Sequence, residues 1–318
     1  MDSIESGTGK LIKAYKSNEF SSIKNIFTSN DVLYGKLRPY LKKYFKPDFS
    51  GLCSSEFWVL SSVKICQDFL YHFVSTEYFN SETNKTCGTK MPRADWKKIS
   101  KLDIYYPNLN EQHKISCFLD YIDRKIDVIC SKIAILKKYK KGFTKRLTKT
   151  LNTDEIALSS ICSITTGKMD ANAMNPLGKY KFFTCSREDY FIDTYAFDCE
   201  ALLVSGNGEV GLTKYYNGKF NAYQRTYVLY NLKKNAKFIK LFIDLQINTI
   251  IRKETNKGAM PYIRLTTFNK IMIPNIDSSL EYLISTAIDK IDKKIELLQN
   301  HARVLNNIKN NLLDSLFI

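Results

Sequence analysis

Lys36, Arg38, Tyr40, Lys42 and Lys43 crowd one short stretch of the chain, and Lys90 and Arg93 follow farther on. In the second half, Lys214, Tyr215, Lys219, Gln224 and Arg225, then Lys257, Tyr262 and Arg264, hold comparable positions. A lysine ammonium is a mobile point charge suited to phosphate. Arginine and glutamine offer paired hydrogen-bonding atoms that match base edges. The candidate contacts to a polyanion such as DNA are therefore Lys36, Arg38, Tyr40, Lys42, Lys90, Arg93, Lys214, Tyr215, Gln224, Arg225, Lys257, Tyr262 and Arg264. Arg38, Arg93, Arg225 and Arg264 are the favoured base readers among them, and each residue also reads as an ordinary surface charge.

Catalytic chemistry is not visible in the chain. Gly206-Asn207-Gly208-Glu209-Val210-Gly211 matches GxGxxG, but that fingerprint works only where a strand ends and a helix begins. Leu212 to Tyr216 reads as strand or turn, so a hairpin with glycine turns is expected. His72, His113 and His301 are scattered; the latter two fall in long helical stretches and read as solvated. Eight cysteines, at 53, 66, 87, 117, 130, 162, 185 and 199, show no CxxC or zinc-ligand spacing. Cys117 and Cys130 sit in apolar runs and read as buried free thiols. No Walker A motif occurs. No catalytic residue, no metal site and no cofactor are expected in this chain.

The chain has 318 residues with 44% hydrophobic content, which suits two globular domains. Its net charge of +16 suits a nucleic-acid partner, and equally a basic protein of no such function. The excess is uneven: residues 1–150 carry 27 basic and 15 acidic side chains, the remainder 21 and 17. It is densest over Lys132–Lys149, which reads either as a solvated helix face or as a phosphate-contacting one. No signal peptide or long apolar run is present, so a cytoplasmic protein with reduced thiols and no membrane partner is expected.

An internal repeat organises these residues. Residues 88–148 and 258–317 each run from Gly through a Met-Pro step and an apolar strand ending at Pro107 or Pro274, then enter a long helix. At an offset of 169, Asp120 and Asp123 fall on Asp289 and Asp292. Ile122, Ile126, Ile129, Ile133, Leu136, Phe143 and Leu147 fall on Ile291, Ile295, Leu298, Ala302, Leu305, Leu312 and Leu316. These form heptad stripes, the seam of a coiled coil, over helices about 57 Å long. Each helix could instead pack on its own module. Between themselves parallel and antiparallel pairing are both sterically open, and the short linker Lys149–Ile156 favours antiparallel. The four aspartates are expected to pair with Arg124, Lys125, Lys293 or Lys294 and across the coil. Upstream of the helices, 30–62 resembles 199–231, both reading strand, turn, strand, basic-aromatic turn, strand. The fold class is α+β: globular modules at 1–109 and 151–276, long helices at 110–150 and 277–318.

Taken in order, IESGTGK (4–10), NDVLYGKLRPYLKK (30–43), CSSEFWVL (53–60), MPRADWKKI (91–99), NEQHKISCFLDYIDRKID (110–127), LKKYKKGFTKRL (136–147) and GAMPYIRLTTFNKIMIP (258–274) resemble the specificity subunit of Type I restriction–modification enzymes. The resemblance implies two target-recognition domains that each read half of a split double-stranded DNA site. It implies an antiparallel coiled coil between them, and no catalysis in the subunit itself. It implies two methyltransferase subunits as partners, docked on the helices, with restriction subunits able to join. S-adenosylmethionine, and ATP with Mg²⁺ where a restriction subunit is present, would be bound by those partners. Accordingly, the nearest string to a methyltransferase Asn/Asp-Pro-Pro-aromatic loop, Asn175-Pro176-Leu177, lacks the second proline and the aromatic. Against the family the first domain reads as short at its N-terminus. A regulatory or decoy subunit that reads only one half-site is thus the alternative expectation.

Overall fold

The computed structural model describes residues 2–16, 23–85, 90–151, 153–254 and 260–317. Cys87 and the repeat-opening Gly88 and Gly258 lie outside these. The chain divides into two compact units, Met1–Ser131 with Leu298–Ile318, and Lys132–Leu297. The helices α4 (Leu109–Thr150) and α7 (Ser278–Leu316) each contribute to both units.

In the first unit, β2 (Val32–Gly35) lies between β3 (Tyr44–Phe45) and β5 (Phe57–Leu60), all antiparallel. A separate ribbon joins β1 (Lys24–Phe27) to β4 (Gly51–Ser54). Strand alternation sends Val32 and Tyr34 to one side, against Phe69 and Phe73 of α1 (Gln67–Ser75), and Leu33 to the other with Phe27 and Phe57. Tyr34 is wholly buried, and its hydroxyl donates to Asn80 Oδ1 (2.9 Å) in α2 (Glu77–Asn84). Leu119 of α4, Leu313 of α7 and Phe317 just beyond it complete this core. One turn on, Lys309 Nζ lies 2.6 and 2.7 Å from the two Asp123 carboxylate oxygens. As α4 advances from 119 to 123, α7 retreats from 313 to 309, so the two helices run antiparallel in this unit.

The second unit is built on a six-stranded sheet in the order β7 (Ser163–Thr166), β12 (Thr226–Tyr230), β10 (Phe197–Ser205), β11 (Thr213–Ala222), β8 (Tyr180–Phe183), β9 (Tyr190–Ile192). Only β8 and β11 are parallel. Its core packs Leu202, Val204 and Leu229 against Phe238, Phe242 and Ile247 of α6 (Ala236–Glu254). A small ladder pairs β6 (Glu155–Ala157) with β13 (Met272–Pro274). Phe143 and Leu147 of α4 join Ile284, Ile288 and Ile291 of α7 on this core. Lys140 Nζ sits 2.6 and 2.7 Å from the Asp292 carboxylate oxygens, so the helices again run antiparallel. The GxGxxG run is the turn of the β10–β11 hairpin, with Gly208 and Gly211 at φ of 57° and 81°.

Burial along α4 and α7 follows the heptad stripe with one exception. Ile122, Ile129 and Ile295 are buried, and Ile126, Ile133, Leu136, Phe143, Leu147, Ile291, Leu298, Leu305 and Leu312 half-buried. Leu316 is instead 38% exposed: at the end of α7 burial passes to Leu313 and Phe317, drawn round by the rings of Phe69 and Phe73. Cys117 and Cys130 are exposed, not buried, because they fall off the stripe that Leu119, Ile122 and Ile129 define. The strand expected before Pro107 does not form a ladder: no described strand pairs with residues 102–106 as β6 pairs with β13. Asp120 pairs with His72 and Lys46 of its own module rather than with Arg124 or Lys125. Arg124 donates to the Asp120 backbone oxygen.

Phe317, 5% exposed, touches Phe69 (ring centroids 4.6 Å apart) and Phe73 (6.3 Å). Phe317→Ala is expected to cost about 3–5 kcal/mol in urea unfolding, the range for emptying a buried aromatic site. A loss below about 0.5 kcal/mol, the size of a surface substitution, would show that α7 does not complete this core.

Candidate nucleic-acid interface

In the first unit three backbone segments cross. The Lys36 N–H donates to the Glu56 carbonyl (2.9 Å), Ala94 N–H to the Lys36 carbonyl (2.9 Å) and Arg38 N–H to the Pro92 carbonyl (2.8 Å). Lys36, Arg38 and Arg93 are thereby gathered at one place, with exposed Lys90 close in sequence to Arg93. Arg38 is exposed in the left-handed region (φ 50°), which starts the turn Pro39–Leu41 and leaves Tyr40 55% exposed. Arg93 is held by Glu56 in a two-pronged pair, Nε and one terminal nitrogen 3.1 and 3.0 Å from the two carboxylate oxygens. The Arg93 hydrogen bond keeps the Glu56 carboxyl below its ordinary range. Lys42 is engaged by Glu77.

The second unit repeats the crossing. Gly206 N–H donates to the Arg225 carbonyl (2.9 Å), and Ile263 N–H to the Gly206 carbonyl (3.0 Å). Here a side chain is excluded: a Cβ on Gly206 would stand 2.6 Å from the Arg225 carbonyl oxygen. Ladder register gives the correspondence. Leu33 opposite Val59 matches Leu203 opposite Val228, so β2 maps to β10 at an offset of 170 and β5 to β12 at 169. Glu56 thus occupies the place of Arg225, and Arg93 that of Tyr262. Gln224 and Arg225 are exposed at the β11–β12 turn. Arg264 stacks over the Tyr262 ring (5.0 Å to its centroid) and donates to its hydroxyl through Nε (2.9 Å).

Two members of the second set do not join this group. Lys214 Nζ donates to the carbonyls of Arg187 and Glu188 (3.0 Å each) and lies 3.5 Å from Asp189. Burial pushes its ammonium below the usual lysine range. Tyr215 packs against the α6-side core and donates to Glu200 (2.9 Å). Lys257 lies outside the described residues. Two cations missed in the sequence do adjoin the group. Exposed Lys168 precedes Met169, whose carbonyl accepts from Gln224 N–H (2.9 Å). Arg187 pairs with Glu209 (3.0 Å) beside Cys185, whose carbonyl accepts from Glu209 N–H. The Gly167-Lys168 step after a β-like run was the available signal for the first; nothing local marks the second.

Among the described residues one cluster could offer metal ligands: His72, Asp120 and Asp123 hold ligand atoms within 4.8 Å of one another. Its hydrogen bonds instead describe an ion network. His72 Nε2 lies 2.9 Å from Asp120, Lys46 bridges Asp120 (3.3 Å) and Asp68 (2.7 Å), and Lys309 occupies Asp123. Burial alone would raise the Asp120 carboxyl, but its His72 and Lys46 partners bring it below the ordinary value. Among the described residues no helix is long and apolar enough to cross a membrane.

The profile of the Type I restriction modification DNA specificity domain matches this chain twice, over residues 4–138 and 151–307. Over 142 residues the chain is 36% identical to the Type I restriction enzyme EcoDI specificity subunit of Escherichia coli, covering 44% of this chain and 31% of that protein. A putative type I specificity subunit, S.MpnORF638P of Mycoplasma pneumoniae, is 22% identical over 331 residues, 97% of this chain and 87% of its own. The Type I restriction enzyme MjaVIII specificity subunit of Methanocaldococcus jannaschii is 35% identical over 98 residues, 30% of this chain and 23% of that protein. The chain thus spans about a third or less of the E. coli and M. jannaschii subunits that it matches at higher identity. The fold is shared with the crystal structure of the Type-I restriction-modification system S subunit from M. genitalium (TM-score 0.66, 18% identity, 98% of this chain and 87% of that one). It is also shared with a chain from a structure describing complex assembly and conformational transition of the type I R-M system (TM-score 0.54, 18% identity, 99% and 89%). With the profile matched in both halves and the fold the same, this chain belongs to the Type I restriction–modification DNA specificity family.

Proposed function

We propose that this protein reads a two-part, asymmetric site on double-stranded DNA and scaffolds two methyltransferase subunits, to which restriction subunits can be added. It does so in the cytoplasm and without chemistry of its own. S-adenosylmethionine, and ATP with Mg²⁺ for restriction, belong to the partners. One observation carries the proposal. The same backbone crossing occurs in both units and presents different side chains, Glu56 with Arg93 in one, Arg225 with Tyr262 and Arg264 in the other. A repeated frame with unlike heads is what two unlike half-sites require. Lysines near each frame supply phosphate contacts that hold register, and the arginines discriminate bases. The excess of positive charge supplies affinity independent of sequence.

Selection of bound duplexes from a random pool tests this, using the chain assembled with its methyltransferase subunits. Arg225→Ala and Arg264→Ala are each expected to relax base preference in one half-site, weakening the preferred sequence about 5- to 150-fold, the equivalent of roughly 1–3 kcal/mol per paired contact. The other half-site should be untouched. Equal weakening on all sequences would reduce these residues to phosphate contacts.

Arg93 must leave or share Glu56 to meet a base. The depressed Glu56 carboxyl means that the pair's contribution is full above the ordinary carboxylate pKa and is lost as pH falls through the lower folded value. Arg93→Gln is therefore expected to raise the Glu56 titration midpoint seen by carboxyl NMR; an unmoved midpoint would show that the pair does not form in solution.

A further inference from the structure

In the second unit the loop between β8 and β9, residues 184–189, is fastened at both ends. Lys214 Nζ, from β11, donates to the carbonyls of Arg187 and Glu188 (3.0 Å each) and stands 3.5 Å from the Asp189 carboxylate. That lysine side chain is only 19% exposed, and burial works against its charge. At the other end the Cys185 thiol donates to the Arg225 carbonyl (3.3 Å), and the Cys185 carbonyl accepts from Glu209 N–H (3.0 Å). The Arg225 carbonyl also accepts from Gly206 N–H, so the loop is tied to the backbone crossing itself. Arg187, in the middle of this loop, is nonetheless 77% exposed. Its Nε (3.1 Å) and one terminal nitrogen (3.0 Å) reach a single carboxylate oxygen of Glu209. A cation buried to hold main-chain carbonyls fixes where that exposed arginine stands.

The first unit supplies the comparison. With β2 on β10 at an offset of 170, Arg38 takes the place of Gly208. Phe45 opposite Leu33 matches Lys214 opposite Leu203, so β3 maps to β11 at 169 and Lys42 takes the place of Gly211. The backbone is left-handed at all four positions, with φ of 50° and 47° in the first unit against 57° and 81° in the second. Glycine adopts that conformation freely, whereas a Cβ is crowded in it. The first unit therefore keeps side chains at two positions where the second has none. An exposed side chain on strained backbone points to a role outside the fold. In the second unit a Cβ on Gly208 would stand 3.0 Å from the Cys185 carbonyl oxygen, so the bare turn admits the β8–β9 loop and its Arg187. Each hairpin turn thus has an arginine at the crossing. One unit carries it on the turn, at a conformational cost, and the other brings it in on a neighbouring loop.

We propose that Arg187 determines one base of the second unit's half-site, as the counterpart of Arg38 in the first, and that Lys214 is the positioning residue that holds it at the crossing. A guanidinium fork matches the paired acceptors of a guanine edge in the major groove, so guanine is the base expected there. To meet it Arg187 leaves Glu209, as Arg93 leaves Glu56. The inference rests on the two-part reading proposed above and adds to it a position, a base and the residue behind the reader.

The test is selection of bound duplexes by the chain assembled with its methyltransferase subunits, comparing the wild type with Arg187→Ala, Arg187→Lys, Lys214→Met and the double variant Lys214→Met with Arg187→Ala. Arg187→Ala is expected to lose a guanine preference at one position of one half-site, by about 5- to 150-fold, and to spare the position that Arg225→Ala relaxes. Arg187→Lys should lose the same preference, since an ammonium has no fork. Lys214→Met should relax that position too, and adding it to Arg187→Ala should relax it no further. If Arg187→Ala keeps every preference while Arg225→Ala relaxes its own position, this inference alone fails. Full preference in Arg187→Lys would make Arg187 a phosphate contact and overturn it as well. Uniform weakening by Lys214→Met on all sequences would make that lysine a phosphate contact and end its positioning role. A wild-type complex that selects no two-part site would overturn the underlying reading together with this one.

Discussion

Asp123 with Lys309 in the first unit and Asp292 with Lys140 in the second are one ion pair made twice, with the roles of α4 and α7 exchanged. The repeat offset carries Asp123 onto Asp292 and Lys140 onto Lys309. Parallel, in-register pairing would set aspartate beside aspartate and lysine beside lysine; antiparallel pairing satisfies both. The lysines are only 14% and 20% exposed, so these pairs are less screened than surface ones, although each contributes modestly. Cohesion comes from the apolar stripe, and direction and register come from the charges, as polar positions commonly do in coiled coils.

Around that seam each unit adapts the same plan differently. Asp120 meets His72 and Lys46 in the first unit, and its counterpart Asp289 meets Lys237 (2.7 Å) and Lys293 (3.1 Å) in the second. The anchoring carboxylate is kept while the module behind it changes its cation. The crossings at Lys36 and Gly206 follow the same rule: backbone hydrogen bonds are retained, and Glu56 and Arg93 give way to Arg225 and Tyr262. Main-chain bonds do not require particular side chains at positions 56, 93, 225 and 262, so a frame built from them leaves the side chains presented there free to vary.

Much of this was legible in the chain because it is periodic or repeated. The heptad spacing of Ile122 to Leu147 names the seam, and the shared aspartates fix its register. Local glycine turns identify the β10–β11 hairpin. What was hidden depends on pairings distant in sequence. Nothing near Lys214 announces the carbonyls of Arg187 and Glu188, and nothing near Arg93 announces Glu56. Leu316 obeys the heptad but yields to aromatic rings supplied by α1. Cys117 and Cys130 lie in an apolar neighbourhood in sequence that is not one on the helix surface, and so are exposed. The one-residue shift between β2 and β10 could be read only from the ladders.

If the chain reads a two-part site as proposed, the paired length of α4 and α7, each of which contributes to both units, is expected to set the spacing between half-sites. Inserting one heptad at equivalent points, after Ser131 and after Asn300, keeps the stripe in phase and preserves both Asp–Lys pairs. Sequencing of DNA selected by the assembled complex should then show unchanged half-sites separated by about 3 further base pairs, from a rise of 1.5 Å per helical residue against 3.4 Å per base pair. An unaltered gap, or altered bases within either half, would contradict the account.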